Sequence, residues 1–424
     1  MTQSLTRPLC AALAGAALAL TTACRNSDLA PSTPVSPEPS LGTTANLPPY
    51  GPWSRIVTGE TGPGALYAVY VPTAWNGNAV TIAHGFRDVA SPIDLRDQDG
   101  LYETREALGA LGYAVAYSSY SENGFAIKDG ALRTHQLRGV LTSVLGRAPA
   151  KHLLVGYSLG GGVAVSLAEQ FPTQYQGALT VCGLVGGSLV QTQYLGHVRA
   201  LFDSYYTDVV PGNALGVPAG TVVTLPQIAA AVAFSPLGIL ALASTKETPL
   251  PYDTTGNVLD PSSISAQTLV ASLWTAVSFH ARGINNLTAL THGKPPFGNA
   301  TTTYTLGTPV GLPGFMLQDL IAATNDSVAR YVSPPSAINY LTQNFTPSGT
   351  LRIPLLTVHN RWDPAVPMLH ETELAKIVQA AGTSGMLLQR TVPSYGHCAV
   401  PAPVLVGAFT DLVGWVNTGV KPAM

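Results

Sequence analysis

A glycine-rich junction at residues 156–162 leaves the surrounding backbone few options. Gly156-Tyr157-Ser158-Leu159-Gly160-Gly161-Gly162 follows the apolar run Leu153-Leu154-Val155 and opens a helix-like stretch that reaches Gln170. A short apolar run bounded by glycine reads as a buried strand, and the longer apolar stretch after it as a helix. A sharp turn from one into the other strains the residue at its apex, here Ser158. Small residues two places to either side, Gly156 and Gly160, let strand and helix approach closely.

The same alternation runs through much of the chain. Strand-like runs occur at 66–71, 79–83, 113–117, 153–156, 178–181, 354–358 and 386–391. Between them Leu137, Val140, Leu141 and Val144 recur at helical spacing, and 160–170, 368–380 and 403–416 are also helix-like. Strands alternating with helices predict an α/β fold, a mostly parallel sheet flanked by helices. The pattern lapses over 186–350, a stretch rich in Pro, Gly, Thr and Ala, which is expected to be an inserted cap. The core then comprises 51–185 and 351–424.

Residues 1–23 carry one cation, Arg7, followed by an apolar stretch from Leu9 to Ala23 that is too short for a permanent span, the pattern of a signal peptide. Its end, Leu20-Thr21-Thr22-Ala23-Cys24, resembles a bacterial lipobox, with Thr21 where that pattern prefers Leu; cleavage after Ala23 to release a soluble protein fits as well. Residues 24–50 hold Pro31, Pro34, Pro37, Pro39, Pro48 and Pro49 and read as an extended, structureless tether. The expected location is the cell envelope or the exterior, with membrane contact only through lipid on Cys24. Lys and Arg number 21 against 23 Asp and Glu, so no basic footprint for nucleic acid exists. Cys10, Cys24, Cys182 and Cys398 are too scattered for a zinc site, and no metal or cofactor is expected.

A serine hydroxyl is a weak nucleophile that needs a base, itself oriented by a carboxylate. Asp363, in His359-Asn360-Arg361-Trp362-Asp363-Pro364, follows the strand at 354–358. His397, in Ser394-Tyr395-Gly396-His397-Cys398, follows the last strand. Both thus fall at carboxyl ends of strands, where α/β sheets place their crevice. Glu371 and Asp411 are rival acids but fall within predicted helices; His359 and His370 precede the final strand. Backbone N–H groups of Leu159 and Phe86, the latter in His84-Gly85-Phe86-Arg87 after the second strand, would meet a developing oxyanion. His84 reads as structural, and Ser118-Ser119-Tyr120-Ser121-Glu122 should line the crevice.

These motifs resemble the α/β-hydrolase superfamily, in particular its secreted bacterial esterases, over the two core segments. The resemblance implies that Ser158 is nucleophile, His397 general base and acid, Asp363 its orienter, and Phe86 with Leu159 the oxyanion hole, with a cap inserted after the sixth strand. It departs in lacking a glycine before Asp363. The activity implied is hydrolysis of a small or polymeric carboxylic ester through an acyl-enzyme, the alternative being an exopeptidase or amidase of the same fold. Carboxylates that could grip a substrate amine are unclustered in 186–350, which favours esters. Cys182 and Cys398 are expected at one edge of the sheet. Their placement beside the histidine is similar to tannase-like esterases, where a disulfide joins the catalytic loops; two buried free thiols are the other reading.

Overall fold

The computed structural model describes residues 44–45, 51–97 and 100–423. The leader 1–23, Cys24 and most of the tether lie outside the described residues. The chain begins with β1 (Thr44–Ala45), β2 (Trp53–Glu60), β3 (Leu66–Pro72), β4 (Ala79–Ala83), α1 (Leu101–Ala110) and β5 (Ala114–Ser118). There follow α2 (Ile127–Leu145), β6 (His152–Tyr157), α3 (Leu159–Gln170) and β7 (Gly177–Val181). Six helices then intervene: α4 (Ser188–Tyr205), α5 (Leu225–Phe234), α6 (Pro236–Ser244), α7 (Ile264–Leu290), α8 (Gly314–Ser327) and α9 (Pro335–Asn344). The chain closes with β8 (Leu355–Trp362), α10 (Leu369–Ala380), β9 (Leu387–Tyr395) and α11 (Ala402–Thr418).

One sheet takes the order β1-β2-β3-β5-β4-β6-β7-β8-β9. β1, β2 and β3 join antiparallel, and β3 runs antiparallel to β5. From β5 to β9 every neighbour is parallel. The parallel strands β4 to β7 are buried along their whole length because helices cover both faces. Leu153 and Val155 of β6 pack with Leu101 of α1 and with Phe409, Leu412 and Trp415 of α11. Leu154 turns the other way, onto Val163 and Leu167 of α3 and Leu374 of α10. This period of two sorts the apolar side chains into two layers, and the architecture is the α/β-hydrolase fold.

Two strands escape the sequence reading. In β2 the buried Trp53 and Val57 are separated by Ser54, Arg55 and Ile56, so no continuous apolar run marks it. β1 lies inside the segment expected to be a structureless tether; Thr44 and Ala45 instead pair with Val57 and Ile56. β8 and β9 also run beyond their apolar cores, to Trp362 and Tyr395, through polar residues that still pair, with a bulge between Asn360 and Trp362.

Of the six intervening helices, α9 packs with α3 and β6 through Leu341. The other five, α4 to α8, bury their own apolar centre, in which Leu201, Phe202, Ile239, Leu273, Val277 and Leu317 are almost solvent-free. Ile228 and Val232 of α5 pack into it, while Phe234 at the helix end is 93% exposed.

The junction after β6 is as tight as its glycines suggest. A Cβ on Gly156 would lie 2.2 Å from the Gly160 carbonyl oxygen, and one on Gly160 would lie 2.1 Å from that of Ala83. Both are below any permitted contact, and the obstructing atoms are backbone. Gly160→Ala is therefore expected to destabilise the protein by about 1–3 kcal/mol through overpacking. Gly139→Ala in α2, where a Cβ meets nothing within 4 Å, should leave stability unchanged or raise it slightly. Thermal unfolding of the two variants side by side checks this.

Candidate active site

Ser158 sits at the apex between β6 and α3 with φ of 52°, a left-handed conformation that a non-glycine residue adopts at a cost. Its carbonyl accepts the N–H groups of Gly161 and Leu184, both at 2.9 Å, and its own N–H donates to Val181. The serine is thus fixed through its backbone while its side chain is left to meet the loops beyond β8 and β9.

Those loops bring Asp363 and His397 to it. Ser158 Oγ lies 2.8 Å from His397 Nε2, and His397 Nδ1 lies 2.8 Å from Asp363 Oδ2. With Nδ1 against a carboxylate, the neutral ring carries its proton there and accepts the serine proton at Nε2. Asp363 is wholly buried, and its Oδ1 accepts the backbone N–H groups of Ala365 at 2.9 Å and Val366 at 3.0 Å. The histidine loop is tied to β8: Gly396 N–H donates to Trp362, and the Asn360 amide donates to the Gly396 carbonyl.

The rival residues are placed elsewhere. Asp411 of α11 pairs with Arg390 of β9, and Glu371 reaches Thr357 and Gln389. His370 is held by the Gly186 N–H and the Gln191 amide, and burial, then the charge of His359, lowers its pKa to about 3. His84 stacks on Tyr120 at 3.8 Å between centroids, and burial, then Arg87, brings it to about 4, so it stays neutral and structural. The stretch expected to line the crevice after β5 does not do so. Ser118 and Ser119 are buried, with their hydroxyls turned to backbone groups of Leu66 and Tyr120.

Phe86 and Leu159 both border the pocket that opens at Ser158. Leu159 is the first residue of α3, so its N–H has no acceptor within the helix. Further walls come from α4, through Thr192 and Leu195, from α7, through Phe279, Gly283, Ile284 and Leu287, and from Phe125, Leu184, Ala365 and Val366 of the loops beyond the strands. α5 and α6 border a separate apolar crevice with α7. The spacing of 279, 283, 284 and 287 is helical and was readable. Nothing in it distinguishes a pocket wall from ordinary core.

Cys182 and Cys398 are joined in a disulfide, with Cα atoms 5.1 Å apart. It ties the residue after β7 to the residue after His397, and the Cys398 sulfur lies 3.7 Å from His397 Nε2.

Ser158, His397 and Asp363 thus form one hydrogen-bonded chain at the carboxyl edge of the parallel strands of an α/β-hydrolase fold. No protein-family model and no curated protein matches the chain. Among solved structures, feruloyl esterase B from Aspergillus oryzae superposes with a TM-score of 0.46 at 13% identity, over 87% of this chain and 81% of that one. Candida antarctica lipase A gives 0.42 at 13% identity, over 91% and 83%. The Pyrococcus furiosus esterase Pf2001 gives 0.41 at 11% identity, over 91% and 99%.

The disulfide generates a prediction. A loop released at Cys398 displaces His397, and misplacement of a reacting group by about 1 Å can cost about 100-fold. Mild reduction is expected to slow labelling of Ser158 by a fluorophosphonate by ~10- to 100-fold while the melting transition persists. Undiminished labelling after complete reduction would contradict the clamp.

Proposed function

We propose that the chain is a serine esterase that cleaves a carboxylic ester through an acyl-enzyme, with Ser158 as nucleophile, His397 as base and acid, and Asp363 as orienter. The observation that carries this reading is His397 bridging Ser158 Oγ and Asp363 Oδ2, at 2.8 Å each way. His397 Nε2 takes the serine proton as Oγ attacks the ester carbonyl. The backbone N–H groups of Leu159 and Phe86 receive the oxyanion. The imidazolium then gives its proton to the departing alcohol, leaving Ser158 acylated. Water, deprotonated by the same nitrogen, attacks the acyl-enzyme and restores the serine. Side chains, two backbone amides and water complete the sequence of steps.

The pocket walls favour an ester over a peptide. An exopeptidase needs a carboxylate to hold the substrate amine, and among the described residues the pocket at Ser158 is bordered by no Asp or Glu. Its apolar sides suit an uncharged acyl or alcohol group, from a small or a polymeric ester. Residues 186–350 then act as the cap that supplies those walls, and the leader and Cys24 point to work outside the cytoplasm, released or lipid-anchored.

Ser158→Ala is expected to lower turnover of a short p-nitrophenyl ester by about 10⁴–10⁶, and His397→Ala nearly as much, because triad members act as a unit. Asp363→Asn should lose less. Near wild-type turnover by folded Ser158→Ala protein would sink the mechanism. For the anchor, wild type expressed in a bacterial host should partition into detergent and Cys24→Ser should not. Equal release of both would leave Cys24 without lipid.

A further inference from the structure

Next to Asp363 lies a second buried histidine and carboxylate that the reaction above does not use. His359 in β8 has no exposed surface, and its Nε2–H donates to the Val366 carbonyl at 2.7 Å. The same Nε2 is 3.9 Å from Asp363 Oδ2, the oxygen that holds His397. On the far side of the ring, Nδ1 lies 3.4 Å from Glu371 Oε1. Glu371 belongs to α10, is almost fully buried, and receives two hydrogen bonds at its other oxygen, Oε2, from Thr357 Oγ1 and Gln389 Nε2, both at 2.6 Å.

Proton count decides what this arrangement is. With Nε2–H committed to Val366, a neutral ring would turn its Nδ1 lone pair onto a Glu371 carboxylate oxygen, acceptor against acceptor, where both side chains are buried. Both Nδ1 and Oε1 otherwise have no hydrogen-bond partner. One proton between them satisfies both atoms, and on Nδ1, with carboxylates of Glu371 and Asp363 on either side of the ring, it makes the ring an imidazolium.

We propose that Glu371 and a doubly protonated His359 form a positioning pair that fixes the Asp363 carboxylate toward His397. The proposal rests on the triad reading given above. The chain of contacts runs Glu371, His359, Asp363, His397, Ser158, and it ties α10 to both loops of the site. The groups facing His359 are Glu371 and His370 from α10 and Asp363 from the loop after β8. Tyr194 of α4 and Tyr395 of β9 lie within electrostatic reach of Asp363, each phenol held up by burial. Burial by itself lowers the proton affinity of His359; the hydrogen bond and charge of Glu371, with the charge of Asp363, outweigh it and hold the ring above its ordinary value. A group raised in this way keeps its proton at low and neutral pH and loses it as pH rises through the raised value. The pair is therefore intact on the acid side and fails on the alkaline side.

The test is the pH profile of kcat on a p-nitrophenyl ester. Wild type is expected to lose kcat on the alkaline side as His359 gives up its proton. Glu371→Gln should move that limb to lower pH by on the order of one unit, because the proton loses its main charged partner. His359→Gln should abolish the limb and lower kcat by ~10- to 100-fold, with KM changed less than about twofold. A merely structural role would lower the melting temperature and leave the limb where it is. Folded variants that keep the wild-type limb overturn the proposal. In case neither variant folds, ¹⁵N spectra of histidine-labelled wild type decide: both ring nitrogens of His359 should be protonated at neutral pH, and a neutral ring refutes the pair. If Ser158→Ala stays active, the triad reading itself has failed. If Ser158→Ala is dead and the Glu371→Gln limb is unmoved, only this inference has.

Discussion

A carboxylate with no surface in contact with water is the constraint around which the rest of the site is arranged. Removing one partner from a buried charged group typically costs about 3–5 kcal/mol, so the surroundings of Asp363 must supply every partner it needs. Two come from its own loop, which curls so that the N–H groups of Ala365 and Val366 point back at Oδ1. α4 braces it from the cap side, with Gln191 donating to the Ala365 carbonyl at 2.7 Å and Tyr194 to that of Pro364 at 3.2 Å. A helix of the inserted segment thus holds in place a carboxylate supplied by the sheet.

The same division of labour continues across the pocket. Parallel strands present Ser158, Asp363 and His397 from one edge of the sheet, because each follows the carboxyl end of a strand. Much of the wall comes from α4 and α7, whose residues at the pocket are mostly apolar. Apolar walls exclude water, and charge developing on an oxyanion or an imidazolium then interacts more strongly with the dipoles already in place. Sheet and inserted helices each supply half of what the proposed chemistry requires.

How much of this could be read from the residues differs by element. The buried parallel strands are legible since burial on both faces demands continuous runs such as Ala79–Ala83, and the elbow is legible because Gly156 and Gly160 have one physical reason for being there. Asp363 and His397 follow from order along the chain plus strand ends. β2 is hidden because a half-solvated antiparallel strand mixes Ser54, Arg55 and Thr58 with its buried positions. The pocket walls are hidden for a different reason: Ile284 and Leu287 obey the same helical period whether they face a cavity or a neighbouring helix. The Glu371 and His359 contact is invisible too, since it joins a strand to a helix through side chains that sequence order does not bring together.

Strained backbone gives an independent view of the site. Six non-glycine residues among those described adopt positive φ, and four of them, Tyr120, Ser158, Cys182 and Cys398, follow the ends of β5, β6, β7 and β9. Glycine would take such positions without cost, so each side chain must contribute something that glycine cannot. Tyr120 stacks on His84 next to the β4 loop that carries Phe86, Ser158 presents its hydroxyl, and the two cysteines bond to each other. Strain of this kind persists only where neighbours over-determine the backbone. Here they do: the Ser158 carbonyl takes two N–H groups and the Cys182 N–H donates to Val358. The edge of the sheet that holds Ser158 and His397 is therefore where the fold departs most from local preference, and the disulfide joins two of those departures directly beside the histidine.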